Sequence, residues 1–192
     1  MARIAIVQDD CLWGEKAQNL EKATGLIKAA AQQNARLVLF PEMYLTGYAL
    51  EDDIQQRAEA VSGPSIDALA QMAKTNQICI CMGFPELDPA SRQIFNSLVC
   101  LSDRGDILAV YRKIHLFDEE KKYFRDNSKI KIGKILEQDR RCHILMYIMD
   151  GNRSFPNCRG NPFYGSHTNI PGRKDAGHTG FKAHWVAFFY PI

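Results

Sequence analysis

The chain has 192 residues, of which 46% are hydrophobic and 24% charged, with a formal net charge of +2. That much apolar material suffices for one sizeable core and excludes collagen-like or wholly disordered chains. Its longest apolar runs fall far short of the ~20 residues of a membrane-spanning helix, so no membrane partner is expected. The charge is unevenly placed: residues 149–192 carry five basic and two acidic side chains, leaving the body slightly acidic. No electrostatic footprint for nucleic acid is therefore expected on the body.

The start, Met1-Ala2-Arg3-Ile4, enters a strand-like alternation without the basic-then-apolar order of a secretory signal. Six cysteines without an export signal read as reduced thiols, which points to a cytoplasmic location. Residues 3–8 alternate as a strand. Residues 15–33 set Leu20, Ala23, Leu26, Ile27, Ala30 and Ala31 at helical spacing. A short apolar run over 36–40, ending at Pro41, predicts a strand buried on both faces. Ser62-Gly63-Pro64 breaks the chain, and an amphipathic helix follows over 65–75 through Ile66, Leu69, Ala70 and Ala73. The run 78–82 is its partner strand, with Cys79 and Cys81 on one face as small buried hydrophobes. The runs 96–102 and 107–112 flank Asp103-Arg104-Gly105-Asp106 as a hairpin. This order, β-α-β-α-β and then antiparallel strands, predicts an α/β domain with helices packed on a mixed sheet.

Two regions are expected: a domain over 1–148 and a distinct ending over 149–192. The ending holds 6 of the 13 glycines, 4 of the 8 prolines and 3 of the 5 histidines, and no Leu, Glu or Gln. Such a composition predicts a loop-like segment. Cys158, His167, His178 and His184 are spaced by 8, 10 and 5 residues, which matches no standard zinc pattern. No metal is expected. No glycine-rich phosphate loop is present either, so no nucleotide cofactor is implied.

Chemistry is expected where strands end. Glu42 emerges directly from the buried run 37–41, a low-dielectric position that suits a carboxylate to general-base work. Taken alone it fits equally well a loop cap or a partner for a surface cation. Lys113 stands where the run 107–112 gives way to a loop, and an ammonium there can hold a developing oxyanion. An ordinary solvated strand-end lysine is the alternative.

Phe40-Pro41-Glu42-Met43-Tyr44-Leu45-Thr46-Gly47-Tyr48 and Tyr111-Arg112-Lys113-Ile114-His115-Leu116-Phe117 resemble the glutamate and lysine motifs of the nitrilase superfamily, the carbon-nitrogen hydrolases. Residues 4–8 with Asn19 downstream, and Asn96-Ser97 before the hairpin, agree, and the resemblance runs from residue 3 to about 148. It implies a four-layer α-β-β-α sandwich, here incomplete at its C-terminal end, and a small-molecule amide, carbamoyl or nitrile substrate cleaved at its carbon-nitrogen bond. It further implies that Glu42 is the general base, that Lys113 stabilises the tetrahedral intermediate, and that a second glutamate after the lysine positions the substrate. Glu119 and Glu120 are both available, and Glu120 is preferred for its proximity to Tyr123-Phe124; a solvated acidic turn balancing Lys121 and Lys122 is the alternative. A homo-oligomer is implied as well.

The nucleophile departs from the pattern. The segment that should carry the catalytic cysteine is 141–150, where Met146 precedes Tyr147, and a thioether has no proton to lose and forms no thioester. Cys142 lies four residues earlier, about 13 Å away at strand rise, and reads as a core thiol; His143 reads as a strand residue. Beyond residue 148 the resemblance ends, and a non-homologous ending is expected, with a sheet edge left open to another chain. Two functions therefore follow: a carbon-nitrogen hydrolase lacking its thiol, or a catalytically silent interaction module.

Overall fold

The computed structural model describes residues 2–48, 53–117, 119–126 and 186–190. The parallel half of the sheet is built from β1 (Ala2–Ile6), β2 (Ala35–Leu39) and β3 (Cys79–Leu87). β1 pairs parallel with β2, and β2 with β3. Neighbouring parallel strands need a long crossover. The helix α1 (Lys16–Gln32) supplies the first; the single turn α2 (Ile54–Arg57) and the helix α3 (Pro64–Asn76) lie in the second. β4 (Ile94–Leu101) and β5 (Ile107–Arg112) then continue antiparallel. The short helix α4 (Glu120–Tyr123) follows, and β6 (Val186–Tyr190) lies antiparallel to β1, so the order is β5-β4-β3-β2-β1-β6.

The two long helices form because their apolar residues recur at helical spacing. α1 buries Ala23, Ile27 and Ala30, and α3 buries Ile66, Leu69 and Ala73. Proline at the first position of α3 satisfies the start, since the missing N–H has no intrahelical partner there. Both helices cover the sheet face carrying Val38, Ile80, Met82, Phe84, Val99 and Leu101. Alternation sends Leu37, Leu39, Cys79, Cys81, Leu98, Cys100 and Tyr111 to the opposite face, where they form a second cluster. Cys79 and Cys81 are buried there together, with Cys81 directly opposite Cys100.

One mixed sheet with helices on one face is the α/β architecture read from the sequence. Two of the four layers of the sandwich are thereby accounted for; a second sheet is not among the described residues. β6 falls inside the stretch expected to be loop-like, and pairs as a strand because 186–190 is an apolar run. The rest of 149–192 lies outside the described residues. Among the described residues, no helix is long and apolar enough to cross a membrane.

Candidate active site

β2 ends at Leu39, and the chain turns at once. Phe40 still donates to the Cys81 carbonyl at 2.9 Å; then Thr46 and Gly47 donate back to the Met43 carbonyl at 3.2 and 2.7 Å. Met43 adopts φ +56°, a left-handed conformation that an unbranched side chain tolerates at a cost. The wound turn lies against β3 at Gly83, where a Cβ would stand 2.5 Å from the Met43 nitrogen and 2.9 Å from the Glu42 Cα. Asn19, buried in α1, ties the turn from outside: its Nδ2 donates to the Leu12 carbonyl at 2.7 Å and the Leu45 carbonyl at 3.2 Å. Glu42 is thus held at the carboxyl end of the parallel strands.

Lys113 comes from the far edge of the sheet. Its N–H donates to the Asn96 carbonyl at 2.8 Å, one step beyond the Ser97–Arg112 pair that ends the β4–β5 ladder. Alternation separates it from Arg112, which turns to the other face and forms a bidentate pair with buried Glu86, with contacts of 2.5 and 3.0 Å. Glu120 opens α4 and accepts the Phe117 N–H at 2.7 Å, which closes the intervening loop on itself.

These segments bring the three charged groups together. The Lys113 ammonium lies 2.7 Å from Glu42 Oε1 and 2.9 Å from Glu120 Oε2. Asn96 Nδ2 donates to both carboxylates, at 2.7 Å to each Oε1, and the Tyr48 hydroxyl donates to Glu120 Oε1 at 3.1 Å. The side chains of Lys113 and Glu120 are 7% and 2% exposed, whereas that of Glu42 is 26% exposed. Glu42 is therefore the carboxylate that a solute can approach, and Glu120 is enclosed by protein donors.

Burial opposes the charge on Lys113, but the Glu42 and Glu120 carboxylates outweigh it and hold the ammonium above the ordinary lysine value. Burial and the same two carboxylates raise the Tyr48 hydroxyl strongly, so it stays a neutral donor. The result is a lysine fixed in its charged form beside one accessible and one inaccessible carboxylate. Such a centre can take a proton at Glu42 and stabilise negative charge beside Lys113.

Glu42, Lys113 and Glu120, the three residues singled out from the sequence, share this one centre. Glu119 points to solvent, 2.5 Å from Lys122. Cys142, His143, Met146, Cys158, His167, His178 and His184 lie outside the described residues. Among the described residues, no group of three or more His, Cys, Asp or Glu is arranged to hold a metal. Cys11 lies against the turn at Gly47, and burial raises its thiol. Asn96 and Tyr48 had no role assigned from the sequence beyond their place in the motifs. The polar pair Asn96-Ser97 within the otherwise apolar run 94–101 is the available signal for the first.

The family model for carbon-nitrogen hydrolase matches residues 3–144. The chain is 35% identical over 127 residues to a nitrilase of Pyrococcus abyssi, a match covering 65% of this chain and 47% of that protein. It is 38% identical over 104 residues to omega-amidase NIT2 of Xenopus tropicalis, covering 54% of this chain and 37% of that one. The chain thus spans half or less of the length of these relatives. Among solved structures, Saccharomyces cerevisiae Nit3, of branch 10 of the nitrilase superfamily, is similar with a TM-score of 0.60 and 26% identity over 67% of this chain and 49% of that one. A fold with this strand order, a buried lysine between two glutamates, and a family match over most of its length together show that the chain belongs to the carbon-nitrogen hydrolases of the nitrilase superfamily.

Proposed function

We propose that the Glu42–Lys113–Glu120 centre is the acid–base half of a glutamate–lysine–thiol site for hydrolysis of the carbon-nitrogen bond of a small non-peptide amide, carbamoyl or nitrile compound, with the nucleophilic cysteine absent from its expected position in this chain. The observation that carries this reading is the buried Lys113 ammonium held at 2.7 and 2.9 Å between the two carboxylates. In the amide case a thiol adds to the substrate carbon while Glu42 takes its proton; Lys113 holds the developing oxyanion, and Glu42 passes the proton to the departing nitrogen. Water then attacks the thioester, with Glu42 again as base. Glu120, the second glutamate that the resemblance assigns to positioning the substrate, is enclosed by the protein against Lys113 and positions the substrate through that lysine in this scheme.

The sequence register sets Met146 where that thiol belongs, and this favours a second reading, a catalytically silent interaction module. One experiment separates the two. The native chain and Met146→Cys are incubated with small amides and nitriles, and ammonia release and acyl adducts on cysteine are measured. Turnover by Met146→Cys alone, abolished by Glu42→Gln, is the expected result and identifies a complete acid–base half awaiting its nucleophile. Ammonia from the native chain would locate a working thiol elsewhere. No adduct and no ammonia from either protein leaves the interaction module. The resemblance also supports a homo-oligomer, which sedimentation of the full chain tests.

A further inference from the structure

We infer that Asn96 is a positioning residue of this centre, its side-chain amide holding Glu42 and Glu120 in place while its main chain holds Lys113. The inference rests on the centre being the working site proposed above. The three charged residues arrive from separate parts of the chain: Glu42 from the turn after β2, Lys113 from the end of β5, Glu120 from α4. Asn96 joins all three. Its Nδ2 has two hydrogens and two acceptors, Glu42 Oε1 and Glu120 Oε1, each at 2.7 Å, and its carbonyl accepts the Lys113 N–H at 2.8 Å. The amide orientation is unambiguous, because reversing it would set a third oxygen against the two carboxylate oxygens.

The other end of the same amide points to a role beyond packing. Asn96 is fully buried, yet its Oδ1 has no hydrogen-bond partner among the described residues. An unpaired buried acceptor is costly, and a side chain retained only for stability would satisfy both ends or be apolar. Asn96 carries that cost while giving both hydrogens to the carboxylates. The lysine stem is flexible and cannot fix its own ammonium. With Asn96 present, Glu42 stays at Lys113 although its side chain reaches solvent; without it, the freedom to turn toward water is available to Glu42.

The test uses the full chain with lysine labelled at Cε, the Lys113 resonance being assigned by its loss in Lys113→Arg. Titration by NMR gives the ammonium midpoint in the native chain, in Asn96→Leu, which has similar size and no donor, and in Asn96→Ser, which retains one. Thermal unfolding of each variant is measured in parallel. A fall in the Lys113 midpoint of about one pH unit, tenfold in proton affinity, is expected for Asn96→Leu, with a smaller fall for Asn96→Ser. A folded variant with a lowered melting temperature and an unchanged midpoint would overturn the inference, since a structural role moves only the first. If Asn96→Leu does not fold, Asn96→Ser decides by the same criterion. The titration needs no turnover, so an inactive Met146→Cys would sink the hydrolase reading without touching this result.

Discussion

Gly83 has no unusual backbone dihedral to justify a glycine inside a strand; the reason is space. An added Cβ would meet backbone atoms of Glu42 and Met43 at 2.5 to 3.0 Å, and neither the turn nor β3 can yield by rotating a side chain. Gly83→Ala should cost about 1–3 kcal/mol in urea unfolding. The same displacement should weaken the Glu42–Lys113 contact. Charge makes a sharper prediction at Lys113. Its removal leaves two carboxylates facing each other without a cation, so Lys113→Met should destabilise by about 3–5 kcal/mol at pH 7. Adding Glu42→Gln should restore part of that loss, because the variants share one contact. Glu119→Gln, on an exposed ion pair three residues from Lys122, should change stability by no more than about 0.5 kcal/mol.

Elements with a clear period were legible from sequence, and those defined by long-range contact were not. α1 and α3 declare themselves because Ala23, Ile27 and Ala30, or Ile66, Leu69 and Ala73, must share a face to be buried. β3 runs on to Leu87, five residues beyond the predicted end at Met82, through Gly83 and Pro85, which read locally as breakers. The strand tolerates them because it has by then outrun β2, whose last pair is Leu39–Cys81, while β4 stays paired alongside. α2 and α4 are single turns with no period to detect. At the site, Glu42 and Lys113 stood out because each follows an apolar run. Whether Glu119 or Glu120 turns inward depends on α4, and the roles of Asn96 and Tyr48 depend on partners 24 to 72 residues away. The helical layer also gives a direct test of packing. Ile27 and Leu69 are fully enclosed in one cluster beneath the helices, and Ile27→Ala or Leu69→Ala should each cost about 2–5 kcal/mol in denaturant unfolding. A loss below 1 kcal/mol at either site would mean that the helix does not pack on the sheet as described.

Among the described residues, the groups with raised proton affinity all act on the alkaline side. Burial raises Cys11 above 9.0; burial and then Asp9 raise Tyr44 above 10.0; burial and then Glu42 and Glu120 raise Tyr48 above the same value. Lys113 is held above 10.5 by Glu42 and Glu120 against the opposing effect of burial. In each case the folded chain binds its proton more tightly than the unfolded chain. The associated stability is therefore complete below the ordinary value and is lost as pH rises toward the folded one. Tyr48 and Lys113 should each remove about 1.4 kcal/mol per pH unit once their unfolded forms deprotonate. Urea unfolding measured from pH 7 to 11 should accordingly be flat with respect to these groups up to about pH 9 and then fall steeply. Tyr48→Phe separates the centre from the rest: it gives up one hydrogen bond at neutral pH, about 1 kcal/mol, but has no proton to lose. Its curve should start lower and descend less steeply, so that the two proteins converge near pH 11. Parallel curves would show that Tyr48 contributes no proton linkage, and that its hydroxyl is not enclosed with the two glutamates in solution.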